Sequence, residues 1–131
     1  MMWLSYALGD LSAARAQRGR HVRPRIVAFH AQQAAEKALK AALVLSDIEP
    51  ARRHDLEELR NGLTRDWRVK EIPADLTRLS RYGVAVRYPD DFAAVSALQS
   101  ATAVRQAMAV VRLVRRDFER RGVPTEGLEP R

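Results

Sequence analysis

The sequence predicts an all-α protein, folded as a bundle of long antiparallel helices. Apolar residues recur every three or four positions over most of the chain, which is the spacing of one helix face. No stretch alternates apolar and polar residues over the length of a strand, and the chain contains neither a Gly-rich phosphate loop nor an internal repeat. The length of 131 residues is enough for one domain around one core.

Two helices open the chain. The first is predicted from Trp3 to about Arg18, where an apolar stripe ends in a basic last turn and Gly19 closes the helix. The second begins at Pro24, which suits the first position of a helix, and runs to about Ser46. Its apolar stripe is narrow and mostly alanine, so a neighbouring helix can approach closely. The stripe consists of Val27, Ala31, Ala34, Ala38, Ala41 and Leu45.

The middle of the chain predicts two shorter helices. One begins at Asp55, a candidate N-cap, and ends near Leu63. Residues 64–73 are the least periodic part of the sequence. A further helix is predicted over residues 74–86, in which Gly83 marks either a close contact or an early end.

The last helix is the longest that the spacing predicts. Asp90 or Asp91 can cap it, and its apolar residues recur at helical spacing to about Arg121. Gly, Pro and charged residues follow, which is typical of a frayed terminus. We therefore predict a single helical domain over residues 1–121 and a flexible tail over residues 122–131.

The charge of the chain favours an anionic partner. Lys and Arg number 23 against 16 acids, which gives a net charge of +7. Such a balance suits nucleic acid, a nucleotide or an acidic protein. Only three of the bases are Lys, however, so a GC-rich genome that uses Arg for its solvated cations would produce the same charge.

Composition excludes several classes of site. The absence of cysteine rules out disulfides, thiolate zinc sites and Cys nucleophiles. The three histidines lack the spacing of a zinc motif, and no nucleophile elbow is present, so we predict no metal and no cofactor. The longest apolar runs have five residues, whereas a bilayer span needs about 20. We expect a cytoplasmic protein without a membrane segment.

One candidate site is a polar stripe on the predicted second helix. Its members are spaced by three or four residues: His30, Gln33, Lys37 and Lys40. The stripe is either a solvated face or the wall of a ligand groove. In a groove, Lys37 would bind phosphate, Gln33 a base or an amide, and His30 would transfer a proton or donate a hydrogen bond.

Two further groups of polar residues flank predicted helix ends. In the first, a His before a helix start is either structural or an acid–base group, and the following Asp is a cap. In the second, two Arg and two Tyr surround a helix break. They either clamp a phosphate and stack a base, or form an Arg–Asp bridge that pins the turn. The groups are Arg53-His54-Asp55, and Arg81-Tyr82 with Arg87-Tyr88-Pro89-Asp90.

Taken together, three blocks resemble the HEPN domain family. They are Phe29-His30-Ala31-Gln32-Gln33-Ala34-Ala35-Glu36-Lys37, then His54-Asp55-Leu56, then Arg87-Tyr88-Pro89-Asp90. Trp3 and Asp10-Leu11 near the start of the chain fit the family as well. The similarity covers about residues 3–121 in the family's order, and the first block is the most specific part of it.

The resemblance implies a bundle of four to five helices, commonly dimeric, from a family named as nucleotide-binding. Prokaryotic members are often encoded beside a minimal nucleotidyltransferase, in pairs that resemble toxin–antitoxin modules. Many members are metal-independent ribonucleases that use an Arg, four to six residues and then a His. This chain departs from that motif, because no His follows His54 to pair with Arg81. Arg25 and His30 have the spacing, but they lie at the start of the second helix, where the family's His belongs to the first block, so we interpret them as a chance match.

The preferred interpretation is a HEPN-like module that binds nucleotide or RNA and is partnered with a minimal nucleotidyltransferase. Two alternatives stay open. One is a metal-independent ribonuclease toxin, for which His30, His54 and Arg81 are the catalytic candidates, none of them firm. The other is a non-catalytic adaptor that binds an acidic protein. A homodimer is expected, because the alanine stripe and the last helix offer more nonpolar surface than one small bundle covers.

We predict that the ligand-binding residues line one polar groove, with His54 at its edge. The physical reason is that clustered, half-buried Lys and Arg are costly without an anion or a carboxylate to offset them. Glu36 and Asp90 are the nearby acids that the sequence offers, and Glu36 is expected to pair with Lys40. The predicted groove residues are His30, Gln33, Lys37, Arg81, Arg87 and Tyr88.

Overall fold

The computed structural model describes residues 2–17, 22–50, 55–72, 75–84 and 95–126. Over these ranges it contains five α-helices, one short 3₁₀ helix at Arg68–Glu71 and no strand, which confirms the all-α prediction. The α-helices are α1 (Met2–Gln17), α2 (Pro24–Leu45), α3 (Leu56–Asn61), α4 (Thr77–Val84) and α5 (Ala97–Arg120). No helix within these ranges has the length and apolar character needed to cross a bilayer.

α1 and α2 run antiparallel, as the contacts between their side chains show. Near the start of α1, the Trp3 ring lies under Lys40 of α2, with 5.2 Å between the Lys40 Nζ and the ring centroid. Farther along α1, Asp10 contacts Lys37 and His30, which come earlier in α2. Progress along one helix therefore corresponds to the reverse direction on the other.

The alanine stripe of α2 forms the centre of the core. Ala31, Ala34 and Ala38 are fully buried, and α2 packs against α1, α3, α4 and α5. The inner face of α5 is also covered, since Val104 and Val114 are buried within the same apolar cluster. Most of the apolar surface from which a dimer was expected is therefore covered within the chain, while Leu45 of the stripe and Leu98 of α5 stay exposed. The small alanine side chains let the chain's own helices approach and cover most of this surface.

Trp67 fills the end of the bundle at which α2 and α5 both finish. Its indole N–H donates to the hydroxyl of Ser46, just beyond α2, over 2.9 Å. Its ring packs edge-on against Phe118 near the end of α5, with centroids 6.1 Å apart. The segment that is least periodic in the sequence is thus fixed by one large aromatic side chain rather than by a helical stripe.

Helix α5 begins later than the sequence suggests. Its N-cap is Ser96, whose hydroxyl accepts from the Gln99 N–H over 3.0 Å, while the Gln99 side chain accepts from the Ser96 N–H over 2.9 Å. This reciprocal capping box satisfies two N–H groups that no helical carbonyl can reach. The prediction that Asp90 or Asp91 caps α5 is wrong, and both residues lie outside the described ranges. Asp55 caps α3, as predicted.

Beyond α5 the chain turns back onto the helix. Gly122 has a φ of 78°, and Val123 N–H donates to the Phe118 carbonyl over 3.0 Å, in the arrangement of a Schellman turn. Thr125 is then buried against α5. The first part of the predicted flexible tail, residues 122–126, is thus held on the helix, and residues 127–131 lie outside the described ranges.

Candidate functional site

The polar stripe of α2 faces a carboxylate from α1. Asp10 Oδ2 accepts from the Lys37 ammonium over 2.6 Å, and Asp10 Oδ1 lies 3.5 Å from His30 Nδ1. All three side chains are partly buried. Lys37 also lies over the ring of Tyr6, 5.9 Å from its centroid. A partly buried lysine is stabilised here by a carboxylate and an aromatic face, both supplied by α1.

A second polar layer lies deeper between the helices. Lys40 donates to Glu36 over 3.1 Å, which confirms the predicted pair, and both side chains are buried. The Gln32 amide donates to the other Glu36 oxygen over 3.0 Å. The side-chain amide of Gln33 in turn donates to the side-chain oxygen Oε1 of Gln32 over 2.7 Å. Lys40 is therefore part of a buried network and not of a solvated face.

Gly83 brings the end of α4 directly onto this network. A Cβ at this position would lie 2.3 Å from the Gln32 side chain, so no larger residue fits without a shift. The close contact predicted as one role of Gly83 is therefore present, and α4 also ends one residue later, at Val84. The contact sets α4 against the part of α2 that carries the polar stripe.

Two predicted binding residues lie on α4. Arg81 is exposed, and Tyr82 is partly buried against the apolar core. Burial raises the pKa of the Tyr82 phenol above its usual value, so the hydroxyl stays a neutral donor and acceptor at physiological pH. Tyr82 lines a small cavity between α4 and α5, together with Arg78, Leu98 and Gln99, and Arg81 is not among the residues that line it.

The structure brings some of the predicted groove residues together. His30 and Lys37 both contact Asp10 of α1, and Gln33 lies between them in the stripe, while Gly83 of α4 contacts the neighbouring Gln32. Arg87, Tyr88 and the catalytic candidate His54 lie outside the described residues, so their place in a common groove stays a prediction.

Asp10 is the site residue that the sequence argument missed. Lys37 was expected to lack a nearby carboxylate other than Glu36 and Asp90, and this is wrong because Asp10 reaches it from α1. One signal was available: Asp10 is preceded by Ala7 and followed by Ala14 at helical spacing, and both alanines are buried. An acid on the inward side of a helix needs a partner across the interface.

The comparisons with known proteins identify the family. The sequence matches the HEPN domain over residues 1–120. The fold is similar to the crystal structure of TT1696 from Thermus thermophilus, with a TM-score of 0.68 and 31% identity, over 86% of this chain and 93% of that one. No curated protein matches the sequence. A family match over almost the whole length, on a five-helix fold shared with a solved relative, shows that the chain belongs to the HEPN domain family.

Proposed function

We propose that this HEPN-family protein is a cytoplasmic nucleotide- or RNA-binding module, partnered with a minimal nucleotidyltransferase in a toxin–antitoxin-like pair. The observation that carries the proposal is the contact between Gly83 and Gln32. Through this contact α4, which carries the exposed Arg81, packs on the helix that carries Gln33 and His30. The net charge of +7 supplies a general attraction for phosphate.

Because Lys37 is paired with Asp10, we give the residues of this site different roles in binding. Because Lys37 and Asp10 neutralise each other, they contribute little net charge to the binding of a phosphate. We therefore assign phosphate contacts to Arg81 and Arg87. The amide of Gln33 and the ring of His30 are assigned to the base, which both can contact by hydrogen bonds. Lys37 and Asp10 act as positioning residues that fix α1 against α2.

A pair of substitutions tests the binding site. Arg81→Ala combined with Arg87→Ala should weaken binding of a fluorescent single-stranded RNA at least tenfold at low salt, measured by anisotropy. The slope of log K against log salt should fall by about 1.4, which is 0.7 for each phosphate contact of a single strand. The matched control is Arg65→Ala with Arg68→Ala, which removes the same charge from exposed positions elsewhere. Equal losses in the two double variants would contradict the assignment.

The partnership is tested separately. If a short nucleotidyltransferase gene lies beside this one, the two proteins should co-purify when expressed together, and expression of this chain alone should slow growth. Failure to co-purify would remove the partner from the proposal while leaving the RNA measurement intact.

We further propose that the module is a homodimer. The surface that supports this is narrower than the sequence suggested, since the alanine stripe is internal. Large apolar side chains that remain exposed include Met2 and Tyr6 on α1 and Leu98 on α5. Light scattering should give twice the chain mass at micromolar concentration. A monomer at that concentration would contradict the proposal.

A further inference from the structure

The outer side of α5 carries positive charge without counter-charge. From Ala97 to Arg116 this helix contains no Asp or Glu. Arg105, Arg112 and Arg116 are exposed, and none of the three has an acidic partner among the residues that the structure describes. Arg112 and Arg116 are four residues apart, a spacing at which like charges destabilise a helix. An acidic group from outside the chain would offset this repulsion.

The acids of α5 itself are already engaged. They are Asp117 and Glu119, at the end of the helix. Asp117 is buried and pairs with Arg120. Glu119 lies 3.8 Å from Arg115 and accepts from the Thr125 hydroxyl over 2.7 Å. Arg115 is therefore neutralised within the chain, whereas the three outer arginines are not.

The outer residues of α5 have the spacing of one helix in a coiled coil. Side chains that alternate steps of four and three residues stay on one side of a helix and can interdigitate with a second helix. This row, which we call the seam, is exposed or half-buried along its length and extends for about 27 Å at 1.5 Å per residue. The seam consists of Leu98, Thr102, Arg105, Ala109, Arg112 and Arg116.

The seam also offers a partner apolar contact at its start. Leu98 is 73% exposed. The small cavity between α4 and α5 has a volume of about 150 Å³ and is lined by Leu98 and Thr102 of the seam and by Tyr82 of α4. A cavity at the rim of a charged surface can hold an anchoring side chain of a partner protein. The aliphatic stems of the arginines add apolar surface beneath their charged ends.

An acidic helix fits the seam better than RNA or a second copy of the chain does. No aromatic side chain lies in the seam, so it lacks the stacking platform that single-stranded RNA uses. A second copy would place Arg against Arg in either direction, because the seam contains no acid. This leaves the α1 face of Met2 and Tyr6 for the homodimer. A helix with glutamates at the facing positions matches both the spacing and the charge.

We propose that the seam of α5 is the docking surface for an acidic amphipathic helix of a partner protein. Arg105 and Arg112 pair with carboxylates of that helix, the small Ala109 lets it approach closely, and one apolar side chain enters the cavity beside Leu98. The inference rests on the proposed function only in expecting a protein partner. It does not depend on RNA binding by the α2–α4 residues, since the two surfaces share no residue.

A designed helical peptide serves as the probe. It has three heptads, about 21 residues, with leucine at one seam position of each heptad and glutamate at the other and on its flanks. A twin peptide carries lysine in place of each glutamate. Fluorescence anisotropy at low salt should show that the full chain binds the acidic peptide at least tenfold more tightly than the lysine twin.

Reversing the charge of the seam should reverse this preference. Arg105→Glu with Arg112→Glu should bind the lysine twin at least tenfold more tightly than the acidic peptide. The matched control is Arg65→Glu with Arg68→Glu, at exposed positions elsewhere, which should keep the preference of the parent protein. Both double variants lower the net charge from +7 to +3, so a general attraction cannot explain a difference between them. A gain of binding by the lysine twin also cannot come from unfolding.

A variant that keeps the charge tests the apolar contact. Leu98→Ala should weaken binding of the acidic peptide at least threefold. Met2→Ala truncates a similarly exposed side chain on α1 and should change it less than twofold. Because both side chains are exposed, circular dichroism of the same samples should show the helix content and melting of the parent protein.

Three results would overturn the proposal. They are no preference of the parent protein for the acidic peptide, equal effects of the seam and control pairs, and a seam pair that weakens binding of single-stranded RNA more than that of the acidic peptide. The last result would make α5 an RNA surface. Arg81→Ala with Arg87→Ala should weaken RNA binding and leave peptide binding unchanged, so a failure of the α2–α4 proposal can be told from a failure of this one.

Discussion

At the scale of the residue, Gly83 shows how a single missing side chain shapes the site. Gln32 occupies the space where a Cβ would lie, and it is held there by hydrogen bonds to Glu36 and Gln33. Gln32 is fully buried. It cannot move away without breaking bonds in a region where water does not replace them. The glycine is therefore required by the network, although α4 alone would be more stable without it.

We predict that Gly83→Ala lowers the free energy of unfolding by about 1–3 kcal/mol, the usual cost of overpacking. Better helix propensity offsets at most about 1 kcal/mol of this. Gly9 provides a matched control, because it also lies in a helix but a Cβ there meets nothing within 4 Å. Gly9→Ala should raise the free energy of unfolding by up to about 1 kcal/mol. Urea denaturation of both variants measures the difference, and equal effects would refute the role of Gln32.

Asp66 is a residue whose environment makes a titration prediction. The Thr64 hydroxyl and then Arg121, whose Nη2 lies 2.6 Å from Asp66 Oδ2, hold the pKa of this carboxyl at about 2. Its ordinary value is 3.8. Because the folded pKa is lowered, the stability that Asp66 contributes is present above about pH 4 and is lost as the pH falls towards 2.

The expected pKa can be measured by following the carboxyl carbon of Asp66 by NMR. Thr64→Ala and Arg121→Ala should each raise the pKa of Asp66, since the Thr64 hydroxyl and the Arg121 guanidinium both lower it. Asp55→Asn serves as the check on assignment, as it leaves the Asp66 titration unchanged. A pKa near 3.8 in the parent protein would show that these contacts do not persist in solution.

At the scale of the element, the long helices could be predicted from sequence and the short ones less well. Periodicity predicted α2 within one residue at its end, because one stripe of that helix faces the core along its whole length. α4 was predicted over residues 74–86 and extends from Thr77 to Val84. A helix of two turns is stabilised mainly by tertiary contacts, which local spacing does not contain.

The candidate site, too, could be predicted from the sequence only in part. The polar stripe followed from spacing on one helix, whereas its partner Asp10 lies 20 residues before His30 and depends on the register between α1 and α2. Thr125 is held against α5 by a turn, and Gly122 is the one residue of the local sequence that indicates this turn. The same glycine is also typical of a frayed end, so the local sequence does not distinguish the two cases.

The start of α5 allows a test of one element by itself. Ser96→Ala removes the side-chain acceptor of the capping box and should lower the free energy of unfolding by about 1 kcal/mol. Thr102→Ala is the control within the same helix. Its hydroxyl donates to the Leu98 carbonyl, a bond that does not stabilise a helix interior, so the change should be neutral or favourable. A loss at Ser96 no larger than at Thr102 would show that α5 does not depend on this cap.

At the scale of the whole molecule, one apolar cluster joins all the helices. It includes Leu4 of α1, Leu39 of α2, Leu59 of α3 and Val104 of α5, with Trp67 at one end. Exposed cations of this chain, whose net charge is +7, repel one another, and the compact state must overcome that repulsion. A single shared core makes the helices depend on each other, so that none is expected to unfold alone.

The two tryptophans make this dependence measurable. Trp3 lies on α1, and Trp67 packs against Phe118 near the C-terminal end of α5. Trp3→Phe leaves Trp67 as the fluorescent probe, and Trp67→Phe leaves Trp3. In each variant we expect the fluorescence and circular dichroism transitions in urea to have the same midpoint, because both probes report one cooperative event. Leu39→Ala, which truncates the middle of the core, should lower the free energy of unfolding by about 2–5 kcal/mol and shift both signals together. A Trp3 transition that precedes the loss of helix would mean that α1 separates first, and with it Asp10, the partner of Lys37 and His30.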